Sequence, residues 1–587
     1  MINPSMSRRR FVTGIGTGSA IAFSASAMSR RTDAPETVTP TVLEGNSFEL
    51  NIGYSEVNFT GKQRIATTVN GSLPAPVLRW REGETVTLKV KNNLAHDSSI
   101  HWHGLILPTE MDGVPGLSFP GIKPGEIFTY RFKINQSGTY WYHSHSGFQE
   151  QTGVYGAIVI DPKEKDDVEY DRDHIVLLSD WSDEEPESVY AKLKKMSHYY
   201  NFRERTVGDT FQDIKEKGVR KTWNERAMWN DMRMSDTDIA DVTGYTYSFL
   251  MNGKTPAQGW TGLFKPGEKV RLRFINGAAM TIFDVRIPGL KMTVVAADGQ
   301  NIEPVSVDEF RIGVAETYDV IVEPDADSAY TVYAQTIDRT GYTRGTLTSD
   351  ESLQAPIPAM DAPPVLSHRD MGMSHGSHSA MGETNACAPE HAAMGHCSMD
   401  DSAEVGSATE IKHVATEFGP HVDMRADAPP SGLEDPGIGL RNHMQLYGRR
   451  VLTYADIKNR YLTIDKREPS REIQLHLTGN MSRYMWSVNG IKFADAEPLR
   501  LQYGERVRIT LVNDTMMTHP IHLHGMWSEL ETGDANYIPR KHTVLVQPGS
   551  KISYLVTADA IGRWAYHCHL MYHMPGMMRE VLVAKGE

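Results

Sequence analysis

The sequence predicts an all-β protein made of three related Greek-key β-sandwich units, with one insert rich in methionine and histidine. Most segments alternate apolar and polar residues and are bounded by Gly, Pro and Asn, a pattern typical of short strands. A set of turns and strands also recurs three times along the 587 residues. Such an internal repeat indicates a repeated structural unit, and a chain of this length has room for several domains.

The repeated unit is defined by an Asn-Gly pair, a Gly-Glu pair that begins a strand, and a second asparagine after that strand. The copies run from Asn70 to Asn92, from Asn252 to Asn276 and from Asn489 to Asn513. We therefore expect β-sandwich domains at 45–165, 166–350 and 411–587, a helical insertion in the middle domain at about 186–240, and a Met/His-rich insert at 351–410.

Residues 1–27 are predicted to be an export signal and not part of the fold. Three arginines, Arg8 to Arg10, precede a short Gly/Ser/Ala-rich run that ends at Ala25-Ser26-Ala27. This arrangement resembles a bacterial twin-arginine signal peptide, so we expect a periplasmic protein. We expect no membrane anchor, because the run is too short and polar to span a bilayer and no other apolar run of about 18 residues follows.

The net charge limits the classes of binding partner, and the number of cysteines limits the number of disulfides. The net charge of −14 argues against nucleic acid or an anionic membrane as a partner, since both attract basic surfaces. The three cysteines, Cys387, Cys397 and Cys568, are too few for a disulfide framework. Cys387 and Cys397 can form a disulfide with each other or bind metal, and the sequence does not decide between these alternatives.

Four His-x-His pairs occur at matched positions of the first and third units. His101 and His522 each lie 18 residues after a Gly-Glu glycine, and His143 and His567 each lie 18 residues after a Pro-Gly glycine. Residues two apart on a strand share one face, so each pair directs two imidazoles to the same side. Two such half-sites facing each other would hold a metal cluster. The middle unit has Val285 at the corresponding position and is predicted to bind no metal.

The stretch from Arg563 to Arg579 adds a sulfur ligand set. Cys568 lies between His567 and His569, and His573 and Met578 follow at intervals of five residues from Cys568. A thiolate, an imidazole and a weak axial thioether are the ligands of electron-transfer copper. Because strand neighbours point to opposite faces, Cys568 can face one metal site while the two histidines face another.

Four segments resemble the copper signatures of three-domain multicopper oxidases. They read HWHG (101–104), WYHSH (141–145), HPIHLHG (519–525) and HCHLMYHMPGMM (567–578). The twin-arginine start, the acidic chain and the Met/His-rich insert resemble the periplasmic copper-resistance protein A branch of that family. The resemblance implies three cupredoxin-like domains and four copper ions, namely one type 1, one type 2 and two type 3.

The resemblance also implies a role for each motif residue. His519, Cys568 and His573 would bind the type 1 copper, with Met578 as the axial ligand and Met577 as the rival. The type 2 ligands would be His101 and His522, and the type 3 ligands would be His103, His143, His145, His524, His567 and His569.

The resemblance implies proton delivery by Asp112, which follows the HWHG motif. The alternative is that Asp112 is only the first residue of an Asp-Gly turn. Some relatives carry a second carboxylate directly after the last type 1 histidine, whereas this chain has Met574 there. A second proton relay is therefore in doubt.

The implied reaction is the one-electron oxidation of a donor, four times over, with reduction of dioxygen to two waters. Between His368 and Met399 lie five His, five Met and two Cys, ligands that suit copper(I), in a segment too poor in large apolar residues to form a core. We therefore expect a mobile insert that holds extra copper, the alternative being a low-complexity linker.

Copper(I) is the expected donor. The alternatives are a laccase-like oxidase of small phenols and a copper-sequestering protein with incidental oxidase activity. We also expect a monomer, with periplasmic copper-handling proteins as further candidate partners.

Overall fold

The computed structural model describes residues 41–232, 234–372 and 405–586. The predicted signal peptide and most of the Met/His-rich insert, including Cys387 and Cys397, lie outside the described residues. Strands account for 39% and helices for 11% of the described residues, so the prediction of an all-β fold is confirmed.

The first unit contains two sheets. Its strands are β1 (Val42–Glu44), β2 (Ser47–Val57), β3 (Arg64–Val69), β4 (Ala75–Arg81), β5 (Thr85–Asn92), β6 (His101–His103), β7 (Ile127–Lys133), β8 (Gly138–His143) and β9 (Tyr155–Asp161). One sheet has the order β1-β4-β9-β8-β6 and the other β3-β2-β5-β7.

The middle unit also contains two sheets, and three helices interrupt it. Its strands are β10 (Arg172–Trp181), β11 (Ser248–Met251), β12 (Trp260–Leu263), β13 (Val270–Asn276), β14 (Phe283–Arg286), β15 (Met292–Ala297), β16 (Gln300–Val307), β17 (Glu309–Ile312), β18 (Thr317–Val322), β19 (Ala329–Thr336) and β20 (Tyr342–Thr348). The sheet orders are β11-β10-β13-β18-β15-β16 and β12-β20-β19-β14-β17.

The third unit repeats the plan of the middle unit. Its strands are β21 (Arg471–Asn480), β22 (Met485–Val488), β23 (Leu499–Gln502), β24 (Arg506–Asp514), β25 (His519–Leu523), β26 (Ser528–Leu530), β27 (Arg540–Lys541), β28 (Thr543–Val546), β29 (Lys551–Thr557), β30 (Gly562–Cys568) and β31 (Met578–Ala584). The sheet orders are β22-β21-β24-β29-β26-β27 and β23-β31-β30-β25-β28.

In the part of the chain that the structure describes, helices are few and short. The α-helices are α1 (Pro186–Lys195), α2 (Val207–Lys217), α3 (Val219–Met232) and α4 (His443–Tyr447), and the 3₁₀ helices are Thr109–Met111, His368–Met371, Ala415–Glu417, Tyr454–Asp456, Met481–Arg483 and Phe493–Asp495. The first three α-helices lie where the sequence predicts a helical insertion. Across the described ranges, no helix is both long enough and apolar enough to cross a membrane.

The repeated asparagines explain why the three units fold alike. Asn70, Asn252 and Asn489 have φ of 52°, 51° and 51°, and the glycine after each also has positive φ. This is the two-residue hairpin turn that Asn-Gly favours. The side-chain oxygen of each asparagine accepts a hydrogen bond from a backbone N–H of the neighbouring strand, at 2.7, 2.8 and 2.7 Å. The repeated Asn-Gly motif therefore closes the same hairpin turn in each unit.

The common topology also makes the histidine strands equivalent. β6 and β25 occupy matching positions, as do β8 and β30. In the first unit His101 is paired with His143 across the strands, and in the third unit His522 is paired with His567. The fold therefore places a pair of histidine-bearing strands in the first unit and an equivalent pair in the third unit.

A buried charge cluster joins the first unit to the middle unit. Asp319 accepts hydrogen bonds from Arg271 at 2.6 Å and from Arg273 at 3.2 Å. Thr139 of the first unit donates its hydroxyl to the same carboxylate at 2.9 Å. All four side chains are buried, where the attraction between charges is strong and an unpaired charge is costly.

The described part of the predicted mobile insert is packed against the domains. Asp361 pairs with Arg286 at 2.8 Å and with Arg449 at 2.6 Å, and Asp370 pairs with Arg441 at 2.6 Å. Within the described part of the expected insert, these ion pairs attach Asp361 and Asp370 to the neighbouring domains.

Replacing Asp319 by Asn tests the charge cluster. We expect Asp319→Asn to lower the free energy of unfolding by about 3–5 kcal/mol, because two buried guanidinium groups lose their shared partner. Urea unfolding measures the change. Asp327→Asn, on an exposed loop of the same unit, is the control and should shift stability by less than about 0.5 kcal/mol. Equal midpoints for the two variants would contradict this role.

Candidate metal centres

The four His-x-His pairs meet at the boundary between the first and third units. The ring centroids are 5.7 Å apart for His101 and His522, 3.8 Å for His103 and His522, and 4.9 Å for His143 and His569. His145 lies 5.2 Å from His524 and 5.1 Å from His567. All eight predicted histidines therefore line one space, seven of them buried and His145 half-buried.

Ligand atoms converge in more than one group within this space. The nitrogens of His103, His143 and His569 lie within 4.8 Å of one another, as do those of His101, His145 and His524. The Nε2 atoms of His524 and His567 are 3.1 Å apart. This arrangement fits several ions and not a single one.

Many of the buried imidazole nitrogens have no hydrogen-bond partner among the described residues. They are Nε2 of His101, His143, His145 and His522, and both ring nitrogens of His103 and His569. Leaving buried polar atoms unsatisfied is costly and uncommon in folded proteins. Metal ions would occupy these lone pairs, so the residues fit a metal cluster.

Backbone carbonyls hold the opposite nitrogens of several rings. The Nδ1–H of His101 donates to the carbonyl of Asp112 at 2.7 Å, and that of His522 to the carbonyl of His542 at 2.6 Å. His567 donates to the carbonyl of Cys568 at 3.0 Å. A hydrogen bond at Nδ1 fixes the tautomer and directs Nε2 at the metal.

Burial also keeps the rings neutral. It lowers the pKa of His103, His143, His145, His522, His524 and His569 well below the ordinary value, with further lowering from neighbouring histidines. Burial lowers the pKa of His567 to about 4. The imidazoles are therefore free to bind metal at neutral pH.

Asp112 links the two units at this space. Its Oδ2 accepts a hydrogen bond from Nδ1 of His524 at 2.9 Å, and its Oδ1 lies 3.3 Å from Nδ1 of His101. The side chain is 1% exposed. A carboxylate that touches imidazoles of both units is placed to move or hold a proton at the cluster.

Glu150 is a second carboxylate here, and the sequence analysis missed it. Its Oε2 lies 2.7 Å from Nδ1 of His143, and its Oε1 lies 4.0 Å from Nδ1 of His569. Burial, with the negative charge of Asp180 adding to it, raises the pKa of Glu150 well above its ordinary value. The available signal was an acid five residues after His145, but spacing does not show that this loop folds back.

His542 is a further imidazole that the sequence analysis missed. Its ring lies 4.7 Å from that of His103 and 5.9 Å from that of His522. Burial lowers the pKa of His542 to about 4. Gly104, the last residue of HWHG, has φ of 82°, and a Cβ there would lie 2.3 Å from the His542 ring. His542 belongs to no His-x-His pair, so the sequence pattern does not identify it.

A separate triangle of one sulfur and two nitrogens lies in the third unit. The Sγ of Cys568 is 3.5 Å from Nδ1 of His519 and 3.8 Å from Nδ1 of His573, and the two nitrogens are 3.3 Å apart. All three residues are buried. A trigonal site with two imidazoles and a thiolate is the pattern of blue copper. Burial raises the pKa of the Cys568 thiol, so a metal ion would have to displace its proton.

Outer contacts hold both imidazoles of this triangle. With Nδ1 facing the metal, Nε2–H of His519 donates to the Thr515 hydroxyl at 2.7 Å, and Nε2–H of His573 donates to Asp241 at 2.6 Å. Trp486 stacks on His573 at 3.8 Å. Burial raises the pKa of Asp241 to about 7. Asp241 comes from the middle unit and was missed, because no spacing relates it to His573.

The structure places Met577, and not Met578, beside Cys568. Met577 lines a small cavity together with Cys568 and Ile521. Met578 packs on the other side, against Val114 and Ala565. Met577 directly precedes β31 and Met578 begins it, and the two side chains have different neighbours, so Met577 is the methionine that shares a cavity with the Cys568 thiol.

Comparison with known proteins agrees with this geometry. Family models described as multicopper oxidase match residues 51–165, 172–352 and 466–587. The chain is 57% identical to the copper resistance protein A of Escherichia coli, over 92% of this chain and 93% of that protein. It is 56% identical to a copper resistance protein A homolog of Pseudomonas syringae pv. tomato, over 98% and 99% of the two chains.

Solved structures support the fold. A multi-copper oxidase from Pseudomonas thermotolerans aligns with a TM-score of 0.56 at 19% identity, covering 93% of this chain and all of that one. A laccase from Botrytis aclada aligns with a TM-score of 0.58 at 20% identity, covering 93% and 88%. The three units are therefore cupredoxin-like, and copper is the expected metal. The chain belongs to the multicopper oxidase family and, within it, to the copper-resistance protein A type.

Proposed function

We propose that this protein is a periplasmic copper-resistance oxidase that converts copper(I) to copper(II). The balanced reaction is 4 Cu⁺ + O₂ + 4 H⁺ → 4 Cu²⁺ + 2 H₂O. The observation that carries the proposal is the sulfur–nitrogen triangle at Cys568, joined through the backbone to two histidines of the cluster. The relatives named copper resistance protein A support the physiological role.

Four copper ions are proposed, in one type 1, one type 2 and two type 3 positions. The type 1 ligands would be His519, Cys568 and His573, with Met577 replacing Met578 as the axial candidate. The type 2 ligands would be His101 and His522, and the type 3 ligands His103, His143, His145, His524, His567 and His569. Bound copper would supply one-electron redox chemistry at type 1 and dioxygen reduction at the cluster.

The chain itself supplies the connection between these positions. Cys568 is covalently continuous with His567 and His569, and the neighbours on a strand point to opposite faces. The thiolate therefore faces one centre while the flanking imidazoles face the other, over a path of a few bonds. A storage protein needs no such path, which argues against sequestration as the main function.

Two buried carboxylates serve proton delivery and ligand orientation in this proposal. Asp112 contacts His101 and His524 and would supply protons to the cluster. Glu150 holds His143 by its Nδ1–H and provides a second carboxylate at the cluster, although the position after His573 carries Met574.

The burial of the type 1 histidines favours a metal ion over a phenol as donor. His519 and His573 are both 0% exposed among the described residues, so an aromatic substrate has no imidazole edge to contact. The cavities beside Met517 and beside Cys568 have volumes of about 10 Å³ each, room for about one water. Met516, Met517 and Met571 are buried in the same core cluster as Cys568, and their thioethers suit copper(I).

Export and the Met/His-rich segment complete the proposal. The twin-arginine signal would bring a folded protein to the periplasm, and residues 373–404 would gather copper(I) there. A monomer and transient contacts with copper-handling proteins of that compartment are proposed on the same sequence grounds.

Replacing Cys568 by Ser tests the type 1 assignment. We expect Cys568→Ser to lose the intense blue absorption and to abolish dioxygen uptake with either copper(I) or a phenol, because the thiolate is both ligand and electron path. Cys397→Ser is the matched control and should keep the absorption and the uptake. Copper(I)-driven uptake that survives in Cys568→Ser would refute the mechanism.

Changing the Met/His-rich segment separates the two oxidase functions. In a variant with every Met, His and Cys of 373–404 replaced by Ser, we expect copper(I) turnover at low concentration to fall while phenol turnover holds or rises. Steady-state dioxygen uptake with each donor measures this. Because the replaced segment keeps its length, the packed residues up to Gly372 should stay undisturbed. Unchanged copper(I) turnover would favour the laccase-like alternative, and no uptake by the wild type with either donor would favour sequestration.

Replacing Asp112 by Asn tests proton delivery. We expect Asp112→Asn to keep the blue absorption and the rate of its bleaching by the donor, but to slow reoxidation by dioxygen by about 100-fold or more, the usual contribution of a positioned proton donor. Stopped-flow absorbance under dioxygen resolves the two steps, and copper content is measured for each sample. Asp112→Glu should recover part of the rate. If Asp112→Asn is reoxidised at the wild-type rate, Asp112 is only a turn residue and does not deliver protons.

A further inference from the structure

A second group of metal-ligand side chains lies in the third unit, outside the copper positions described above. It contains His413, Glu417, His476 and Asp514, whose ligand atoms all lie within 4.8 Å of one another. His476 is on β21 and Asp514 ends the adjacent parallel strand β24. Glu417 ends the 3₁₀ helix Ala415–Glu417, and His413 precedes that helix.

The four ligand atoms form a closed ring of alternating nitrogen and oxygen. Nδ1 of His413 lies 2.7 Å from Oε2 of Glu417 and 3.6 Å from Oδ2 of Asp514. Nδ1 of His476 lies 2.8 Å from the same Asp514 oxygen and 3.6 Å from the same Glu417 oxygen. Four-coordinate sites with bonds of about 2.0–2.2 Å place their donors about 3.3–3.5 Å apart, close to the mean of these distances.

Burying these side chains costs free energy of folding unless a cation balances the charge of the carboxylates. Glu417 and Asp514 are 0% exposed, and His476 is 2% exposed. Among the described residues, the ion-pair partners of both carboxylates are histidines. Oε1 of Glu417 accepts no hydrogen bond from the described residues. Two buried carboxylates side by side need compensating positive charge, and a divalent ion between the four atoms supplies it.

The donor set indicates the kind of ion. Two imidazoles and two carboxylates, with no sulfur, suit a divalent ion such as Zn²⁺ or Cu²⁺, whereas copper(I) selects thiolate and thioether. The group therefore differs in chemistry from both the type 1 triangle and the Met/His-rich segment. We propose that His413, Glu417, His476 and Asp514 form a binding site for one divalent zinc or copper ion.

Such a site would anchor the chain that follows the Met/His-rich segment. His413 and Glu417 belong to a stretch without strands, while His476 and Asp514 belong to the central strands of the third unit. Ala426 also donates its N–H to Asp514 at 2.7 Å. Asp514 precedes Thr515, whose hydroxyl contacts His519, so the proposed ion would stiffen the loop that carries a type 1 ligand.

Zinc titration of the full, copper-loaded chain tests the site. Competition with a chromophoric chelator counts the tightly bound Zn²⁺ in the wild type, His413→Gln, His476→Gln and Asp514→Asn. We expect each variant to bind one equivalent less than the wild type, with affinity lowered by more than about 100-fold, since loss of an outer contact alone costs about 10–100-fold. His421→Gln, at a half-buried histidine of the same stretch whose ring contacts the Thr416 carbonyl and none of the four proposed ligands, is the matched control and should bind as the wild type does.

Wild-type protein provides a second test that no folding defect can affect. X-ray absorption at the zinc edge should show a first shell of nitrogen and oxygen with two imidazoles. A sulfur-containing shell, or equal zinc content in all variants, would overturn the proposal. Displacement of the zinc by one equivalent of Cu²⁺ would identify copper as the preferred ion, and resistance to displacement would identify zinc. Neither readout depends on oxidase activity, so the proposed function can fail independently.

Discussion

The structure depends on keeping a large number of neutral imidazoles buried side by side. Burial lowers the pKa of these rings, and a charged ring in this space would be repelled by its neighbours. Backbone carbonyls and a carboxylate hold Nδ1 of His101, His143 and His522, and Nε2 of each of these rings has no protein partner within the described residues. The apoprotein therefore holds unpaired polar atoms at high cost. Metal binding relieves that cost, so metal affinity and folding of the boundary between the first and third units are coupled.

The repeated β-sandwich is what allows this arrangement. Two copies of one unit present equivalent strand pairs, His101 opposite His143 and His522 opposite His567, and Asp112 joins the two strand pairs through His524. At the second His-x-His pair the third unit has Cys568 where the first unit has Ser144, and only the third unit also carries His519 and His573 near this cysteine. Cys568 therefore places a sulfur between two histidines of the cluster in the third unit.

The sequence was sufficient to predict the features that recur at a fixed spacing along the chain. The Asn-Gly turns, the His-x-His pairs and the Cys568 motif all lie at fixed offsets, so the fold and the convergence of these side chains could be predicted. Contacts made by loops could not. Glu150, Asp241 and His542 reach the metal centres because loops fold back, and no spacing encodes that. The choice between Met577 and Met578 depends on which strand face meets Cys568, which a count of residues along a loop does not determine.

The middle unit retains the fold without the ligands, but it is more than a spacer. Its Asp241 holds Nε2 of His573, and the same carboxylate accepts the hydroxyl of Tyr484 at 2.8 Å. Its Asp298 accepts the N–H of His542 and pairs with buried Lys541 at 3.0 Å. The middle unit thus orients one imidazole of the Cys568 triangle and fixes a strand beside the histidine cluster. Its loops therefore support both groups of side chains from outside, although Val285 stands where the other two units have a histidine.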